Sequence, residues 1–108
     1  MKYLIEVKDN KKFIKILEYF KKKFAAFEVF ISFVRISFYN DNDVEEEYID
    51  LDRKYFNIKC NNILKFSVIK KDLLNIVNSF DKNNNWFLCC DNKEKIIFTD
   101  TKKGYYIL

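Results

Sequence analysis

The sequence predicts an α+β domain in which two amphipathic helices pack on a mostly antiparallel sheet. Apolar residues repeat at helical spacing in only two segments, and the other apolar residues fall in short runs of strand length. Polar turns rich in Asn and Asp separate these runs, as expected for a chain of 108 residues with one Gly and no Pro. The predicted element order is β-α-β-β-β-β-β-α-β-β-β, in one domain over 1–108.

The first half begins with an alternating strand at 2–8 and a helix at 11–24. Asp9 is the predicted N-cap of this helix. Two strands, at 27–31 and 34–39, precede a loop that starts at Asn40. The apolar stripe of the helix consists of Phe13, Ile16, Leu17, Phe20 and Phe24.

The second half contains predicted strands at 44–51, 54–60 and 63–69, followed by a helix at 71–81. The apolar stripe of this helix consists of Leu73, Ile76, Val77 and Phe80. Three closing strands are predicted at 86–90, 95–100 and 105–108.

Composition removes several classes of function. The chain has no His and three cysteines, Cys60, Cys89 and Cys90, so a Cys-His zinc site is excluded and an all-Cys site lacks a ligand. We therefore expect reduced structural thiols and no cofactor. The N-terminus lacks the apolar stretch of a signal peptide, and no apolar run reaches membrane-spanning length. These features predict a soluble intracellular protein, in the nucleus or cytoplasm (of a host cell if the protein is viral), without a membrane partner.

An acidic segment is the one candidate for metal-dependent chemistry. Asp41, Asp43 and the run 45–47 could hold Mg²⁺ through carboxylates, which would suit a small nuclease. The sequence offers no nearby His or other base, and the run is also typical of a solvated strand. We predict no catalytic residue and expect a protein that is not an enzyme.

Five segments, in their order and spacing, resemble a known family. Segment 13–18 (FIKILE) is similar to its first helix, and 34–39 (VRISFY) to the strand after its first hairpin. Segment 55–60 (YFNIKC) resembles a strand with an aromatic-basic-cysteine ending. Segments 66–77 and 96–108 resemble the second helix with its approach and the closing strands. The chain thus resembles one domain of a sliding clamp of the proliferating cell nuclear antigen (PCNA) type, most closely the N-terminal one.

Two departures from the family are visible. Ser32-Phe33 stands in the first hairpin where the family usually has a Gly. PCNA chains join two such domains by a long connector, whereas this chain stops where the first domain would. Because the chain begins with Met1 and the resemblance covers it throughout, we expect a natural single-domain clamp; half of a longer protein is the alternative.

The resemblance implies three sets of site residues. Non-sequence-specific contacts with double-stranded DNA are expected from Lys11, Lys12, Lys15, Lys22, Lys71, Asn75, Asn78 and Lys82. A subunit interface is expected from Glu45, Glu46, Glu47, Tyr48, Lys102, Lys103, Tyr105, Tyr106 and Ile107. A pocket for partner peptides is expected at Tyr39, Asn40 and Val44.

These implications predict a ring subunit that acts as a DNA polymerase processivity factor. The ring would be a hexamer of single domains or a mixed ring, and it would tether polymerases and other clamp-binding proteins. Lysines on an amphipathic helix are also common as a merely solvated face, and charges on an edge strand can instead prevent pairing. The alternative function is a clamp-fold interaction module, an adaptor or inhibitor of another clamp, that does not encircle DNA.

Overall fold

The computed structural model of the chain describes residues 2–41, 47–59, 64–80, 85–90, 95–100 and 104–107. Within these residues, two helices and nine strands follow one another in the predicted order. The helices are α1 (Asn10–Tyr19) and α2 (Lys70–Ser79). The strands are β1 (Lys2–Val7), β2 (Phe24–Val29), β3 (Phe33–Tyr39), β4 (Glu47–Asp52), β5 (Phe56–Ile58), β6 (Leu64–Ile69), β7 (Trp86–Cys90), β8 (Ile96–Thr99) and β9 (Gly104–Ile107).

The strands divide into two antiparallel sheets. The five-stranded sheet has the order β5-β1-β7-β8-β9, and the four-stranded sheet has the order β4-β3-β2-β6. Element order alone does not reveal this division, because β6 returns to pair with β2 and β5 pairs with β1. The α+β class and the antiparallel pairing are confirmed, with two sheets in place of the single predicted one.

Both sheets and both helices share one apolar core. The ring of Phe13, on α1, meets Phe27 of the four-stranded sheet edge-on, with ring centroids 6.3 Å apart. On the other side it meets Phe56 at 6.2 Å and Trp86 at 5.2 Å, both in the five-stranded sheet. One helical side chain therefore joins the two sheets, and such edge-to-face aromatic contacts add to the stabilisation from burial.

Helix α1 begins where the sequence predicts and ends earlier. The side chain of Asp9 accepts a hydrogen bond from the backbone N–H of Lys12 at 3.1 Å, which confirms the N-cap. Phe20 is already extended, and its ring stacks on Phe38 at 4.2 Å. Phe24 starts β2 and stacks on Tyr39. The last two apolar residues of the predicted stripe thus pack on the sheet outside the helix, so the helical boundary at 24 was wrong.

Side-chain burial on α1 also differs from the predicted stripe at one position. Ile14 is buried, whereas Ile16 is only partly covered. Phe13 and Leu17 are buried as predicted. The contact face is therefore rotated slightly, because α1 packs between two sheets and a neighbouring helix and not on one flat sheet.

A local turn explains the shifted start of β5, and two other elements also have shifted boundaries. Strand β5 starts at Phe56 and not at 54, because the carbonyl of Asp52 accepts a bond from the N–H of Tyr55 at 3.1 Å and its side chain accepts one from Lys54 at 2.9 Å. These bonds form a turn. Helix α2 covers Lys70–Ser79 in place of 71–81, and β9 covers Gly104–Ile107 in place of 105–108. Residues 44–46 of the predicted acidic strand lie outside the described part of the chain.

The first hairpin closes without glycine. The backbone N–H of Phe30 donates to the carbonyl of Phe33 at 2.9 Å, and the two rings stack with centroids 4.6 Å apart. Ile31, at the tip, is 68% exposed. Aromatic stacking across the hairpin thus supports a turn where the resembling family usually has Gly.

A buried amide ties the two helices to the five-stranded sheet. Asn10 has no exposed surface. Its Nδ2 donates to the carbonyl of Val77 on α2 at 2.9 Å, and its Oδ1 accepts from the indole Nε1 of Trp86 on β7 at 2.9 Å. At the other end of the helix pair, the Nζ of Lys70 donates to the carbonyl of Phe20. The start of each helix therefore lies beside the end of the other, and the helices run antiparallel.

We expect Asn10→Ala to destabilise the fold strongly. The change leaves the Trp86 indole N–H and the Val77 carbonyl without their partner, which costs about 1–3 kcal/mol for each unsatisfied buried group. The measurement is urea unfolding, in which the midpoint should fall while the slope stays constant. Asn75→Ala, on the exposed face of α2, is the matched control and should change stability by less than about 0.5 kcal/mol. Equal shifts for the two variants would contradict the importance of the buried amide.

Candidate nucleic-acid interface

The helix pair carries most of the predicted DNA-contact residues on its exposed surface. Lys11, Lys12 and Lys15 are exposed on α1. Lys22 lies half-buried in the turn 20–23 that follows α1. Lys71, Asn75 and Asn78 are exposed on α2. Lys82 lies outside the described residues, so its predicted position is not tested.

The helical layer is strongly basic. The two helices and the turn 20–23 contain eight lysines and only two carboxylates, Glu18 and Asp72. The outward face of the four-stranded sheet is different: its central cross-strand row reads Lys65, Glu28, Arg35 and Asp50, with alternating charge. Cations are therefore in excess in the helical layer, whereas positive and negative charges alternate along the central row of the four-stranded sheet.

Some of the predicted lysines come together in a groove between the turn 20–23 and the start of α2. This groove has a volume of about 350 Å³. Its lining combines three predicted residues with two lysines that the sequence analysis did not select, around two aliphatic side chains. The lining residues are Lys22, Lys23, Ile69, Lys70, Lys71, Leu74 and Asn75.

A second groove lies along α1 and has a volume of about 240 Å³. Lys11 and Lys15 line it together with Ile14 and Glu18. The carboxylate of Glu18 offsets part of their charge. The predicted contact residues are thus split between an end of the helix pair and the body of α1.

Lys70 is the functional candidate that sequence analysis missed. Burial lowers the pKa of its ammonium group, and the nearby charge of Lys21 lowers it further, while Glu18 acts in the opposite direction. Two basic runs in the sequence, 21–23 and 70–71, could have indicated this cluster of lysines. The predicted helical boundaries placed the first run inside α1, and so they hid its contact with the second.

Lys23, the other missed residue, is fixed by several neighbours. Its Nζ lies 3.2 Å from a carboxylate oxygen of Asp41, in an exposed ion pair, and 5.3 Å from the ring centroid of Phe24. Its backbone N–H donates to Oδ1 of Asn40 at 3.3 Å. These contacts hold the turn 20–23 against the end of β3.

The predicted interface residues that are described lie on two sheet edges. Strand β4 is an edge of the four-stranded sheet and exposes Glu47 and Tyr48. Strand β9, which contains Tyr105, Tyr106 and Ile107, is an edge of the five-stranded sheet. Glu45, Glu46, Lys102 and Lys103 lie outside the described residues. Each of these strands has a neighbour on one side only within its sheet. The backbone N–H and C=O groups on its other side can form hydrogen bonds with a strand of another molecule.

A cluster of three interacting side chains lies on strands β3 and β4, at the β4 edge. The Nε of Arg35 lies 2.7 Å from Oδ1 of Asp50 and its Nη2 lies 3.0 Å from Oδ2. The same guanidinium stands 4.5 Å from the ring centroid of Tyr48, which is 58% exposed. The hydrogen bond from Arg35 lowers the pKa of the Asp50 carboxyl group, and the same bond raises the pKa of Arg35.

The residues predicted for a peptide pocket lie at the end of β3. Tyr39 is half-buried and stacks on Phe24, with centroids 5.2 Å apart. Phe24 is paired in register with Ile69, which is 43% exposed and also lines the lysine groove. Asn40 is exposed and accepts a bond from Lys23. Val44 lies outside the described residues.

The other predictions concern metals, thiols and membranes. In the described ranges, no three His, Cys, Asp or Glu side chains are placed to hold a metal ion; Asp43, Glu45 and Glu46 lie outside these ranges. Cys89 is a free buried thiol whose pKa is raised by burial. Neither helix of the described chain is long and apolar enough to cross a membrane.

Comparison with solved structures identifies the fold. The whole chain superposes on a β sliding clamp from Caulobacter crescentus with a TM-score of 0.76 at 11% sequence identity, and it covers 30% of that clamp chain. It also matches DNA polymerase III subunit β from Pseudomonas aeruginosa with a TM-score of 0.73 at 10% identity, over 96% of this chain and 30% of the other. The chain therefore has the fold of a sliding-clamp domain and spans about 30% of the length of these clamps.

The likeness is one of structure and not of sequence. Neither a protein-family model nor a curated protein matches the chain. The solved structures above are bacterial β clamps, so they support a clamp-like fold without pointing to the PCNA type in particular.

We expect the contribution of the Arg35–Asp50 pair to stability to depend on pH. Because the pKa of Asp50 is lowered in the folded chain, the stabilisation is present above the ordinary carboxyl value of 3.8 and is lost as the pH falls through the lower folded-state value. Asp50→Asn should therefore lower the urea midpoint slightly at neutral pH and have no effect in strong acid. Glu47→Gln, another exposed carboxylate of β4, is the control. A difference between wild type and Asp50→Asn that persists unchanged into strong acid would contradict the assignment.

Proposed function

We propose that this chain is a sliding-clamp subunit that acts as a DNA polymerase processivity factor. The observation that carries the proposal is the basic helical layer on a clamp-domain fold, with eight lysines against two carboxylates over the helices and the turn 20–23. A protein that must hold DNA without reading its sequence needs cations near phosphates and few contacts with bases. Exposed lysines suit such a contact because a mobile ammonium group imposes little geometry.

The mechanism would be topological. A closed ring stays on the duplex because it has no end through which to leave, while weak lysine contacts let it slide. No catalytic residue and no cofactor is needed for this function, and the ring would tether polymerases and other clamp-binding proteins to the template. The PCNA-type resemblance would place their peptides at Tyr39, Asn40 and Val44.

Head-to-tail pairing of two different edges would build the ring. Strand β4, with its acidic residues, would join β9 of the next copy, with Lys102 and Lys103 close by in sequence. A contact between unlike surfaces forms a closed ring when its rotation permits, and opposite charges favour the correct partner. This chain spans about 30% of the length of the bacterial clamp chains. A ring built from this chain alone therefore needs more copies than a ring of those longer chains, and the PCNA-type resemblance implies six.

A clamp-fold interaction module is the second candidate. It is favoured by the uncharged residues Asn75 and Asn78 on the exposed face of α2 and by the ion pair of Lys23 with Asp41, which reduce the charge available for DNA. Such a module would offer one free edge to another clamp or to an adaptor and would not encircle DNA.

We expect a discrete hexamer in solution, held together by complementary charges at the joint. Light scattering over a range of protein and salt concentrations measures the mass. Glu47→Lys and Lys103→Glu should each dissociate the ring, because each places like charges together, and a mixture of the two variants should recover mixed assemblies. A stable monomer at high concentration would contradict the self-assembling ring and favour the interaction module.

We expect the protein to be retained on closed circular DNA and to be lost from linear DNA of the same sequence. Lys11, Lys15 and Lys22, all changed to Gln, should lower the salt concentration at which the circle is released, because each lost phosphate contact lowers the salt slope by about 0.9. The control changes Lys54, Lys59 and Lys65 to Gln, which removes equal charge from outside the helical layer. Equal retention on both DNA forms would contradict encirclement.

A further inference from the structure

We propose that the groove between the turn 20–23 and the start of α2 is a binding site for backbone phosphates, and that DNA contact is concentrated at this end of the helix pair. The inference rests on the proposed function and refines it. The ligand chemistry is a phosphodiester, bound between Lys22, Lys23, Lys70 and Lys71.

The first argument is the composition of the groove. Four lysines from two distant parts of the chain line it, and no carboxylate is among its described lining residues. The α1 groove, by contrast, places Glu18 beside Lys11 and Lys15. The first groove therefore has four lysines in its lining, of which Lys23 is paired with Asp41, whereas the second has two lysines and one carboxylate.

The second argument is that the groove is already assembled. The backbone N–H of Lys70 donates to the carbonyl of Lys23 at 2.8 Å, and the Nζ of Lys70 donates to the carbonyl of Phe20. Both bonds join the turn 20–23 to the first residue of α2. A site held in place before the ligand arrives loses less conformational freedom on binding.

The third argument is the crowding of like charge. Burial is the main cause that lowers the pKa of Lys70, and the nearby charge of Lys21 lowers it further, so the two cations are close enough to repel each other. Asp41 pairs with Lys23 in an exposed ion pair, and Glu18 acts on Lys70. With Asp72 in the first turn of α2, three described carboxylates thus lie among five lysines, and a bound phosphate would reduce the repulsion between the lysines.

Two further features fit a phosphodiester. Helix α2 begins at the groove, and no side chain caps its first turn, so the positive end of its dipole points to the groove, although Asp72 in the same turn offsets part of its field. The floor contains Ile69 and Leu74, which offer an apolar surface for a deoxyribose ring.

The placement makes the helical layer asymmetric. The basic groove lies where α1 ends and α2 starts, while the other end of the pair carries the buried Asn10 contact with Val77. A duplex held here would be contacted off centre along the helices and not evenly across them.

The test compares two double variants with equal loss of charge. Lys23→Gln with Lys71→Gln removes cations from the groove and leaves Lys70, whose bonds join the two segments. Lys11→Gln with Lys15→Gln is the matched control on α1. Binding of a fluorescent duplex is followed by anisotropy over a series of salt concentrations, and circular dichroism verifies that each variant is folded.

We expect the groove pair to lower the slope of log K against log salt by about 0.9 for each phosphate released, and to weaken binding more than the α1 pair does. Equal effects, or a larger effect of the α1 pair, would overturn the concentrated site and leave DNA binding intact. If the wild type binds no duplex, the proposed function fails on its own.

A second measurement keeps the two failures separate. In amide NMR, inorganic pyrophosphate should shift the signals of Ile69 and Leu74, which line the groove and are present in both proteins, in the wild type and not in the groove variant, whether or not duplex binds. Absence of these shifts would overturn the phosphate site. A polyglutamate peptide that shifts the same signals as strongly at equal charge would also overturn it, since the groove would then accept any anion.

Discussion

The buried amide of Asn10 is the constraint on which the arrangement of the helical layer depends. It is the point where α1, α2 and β7 meet through hydrogen bonds. A buried polar group is tolerated only when its partners are in place, so the contact fixes how far each helix can slide along the other. Apolar packing alone, which is not directional, would leave that position less defined.

The opposite end of the helix pair is held by a different kind of contact. There the cation of Lys70 reaches the carbonyl of Phe20, in a partly buried setting that makes its charge unfavourable. The two ends therefore differ in chemistry: a neutral amide network at one, and a group of cations at the other. The lysines at the second end line one groove.

The sequence was sufficient for the element order, the N-cap at Asp9 and most of the core, because these depend on local spacing. It was insufficient where tertiary packing decides. The apolar residues Phe20 and Phe24 continue the helical period of α1, yet they stack on Phe38 and Tyr39. The division into two sheets depends on which distant strand β6 joins, and periodicity carries no information about that choice.

The same limit applies to the candidate site. Exposed lysines on α1 follow from helical spacing, and their exposure agrees with the prediction. The groove does not, because it needs 21–23 and 70–71 to meet across almost half of the chain. These two basic runs form one groove only because the antiparallel helices bring the end of α1 next to the start of α2.

The cluster at the β4 edge has a consequence for the entropy of association. An exposed tyrosine normally samples several rotamers, and holding one of them against a partner costs free energy. Tyr48 is instead braced by the guanidinium of Arg35, which Asp50 holds in turn through two hydrogen bonds. A strand that pairs with this edge would meet a tyrosine whose rotamers are already restricted in the folded chain. The loss of side-chain entropy on association would therefore be smaller.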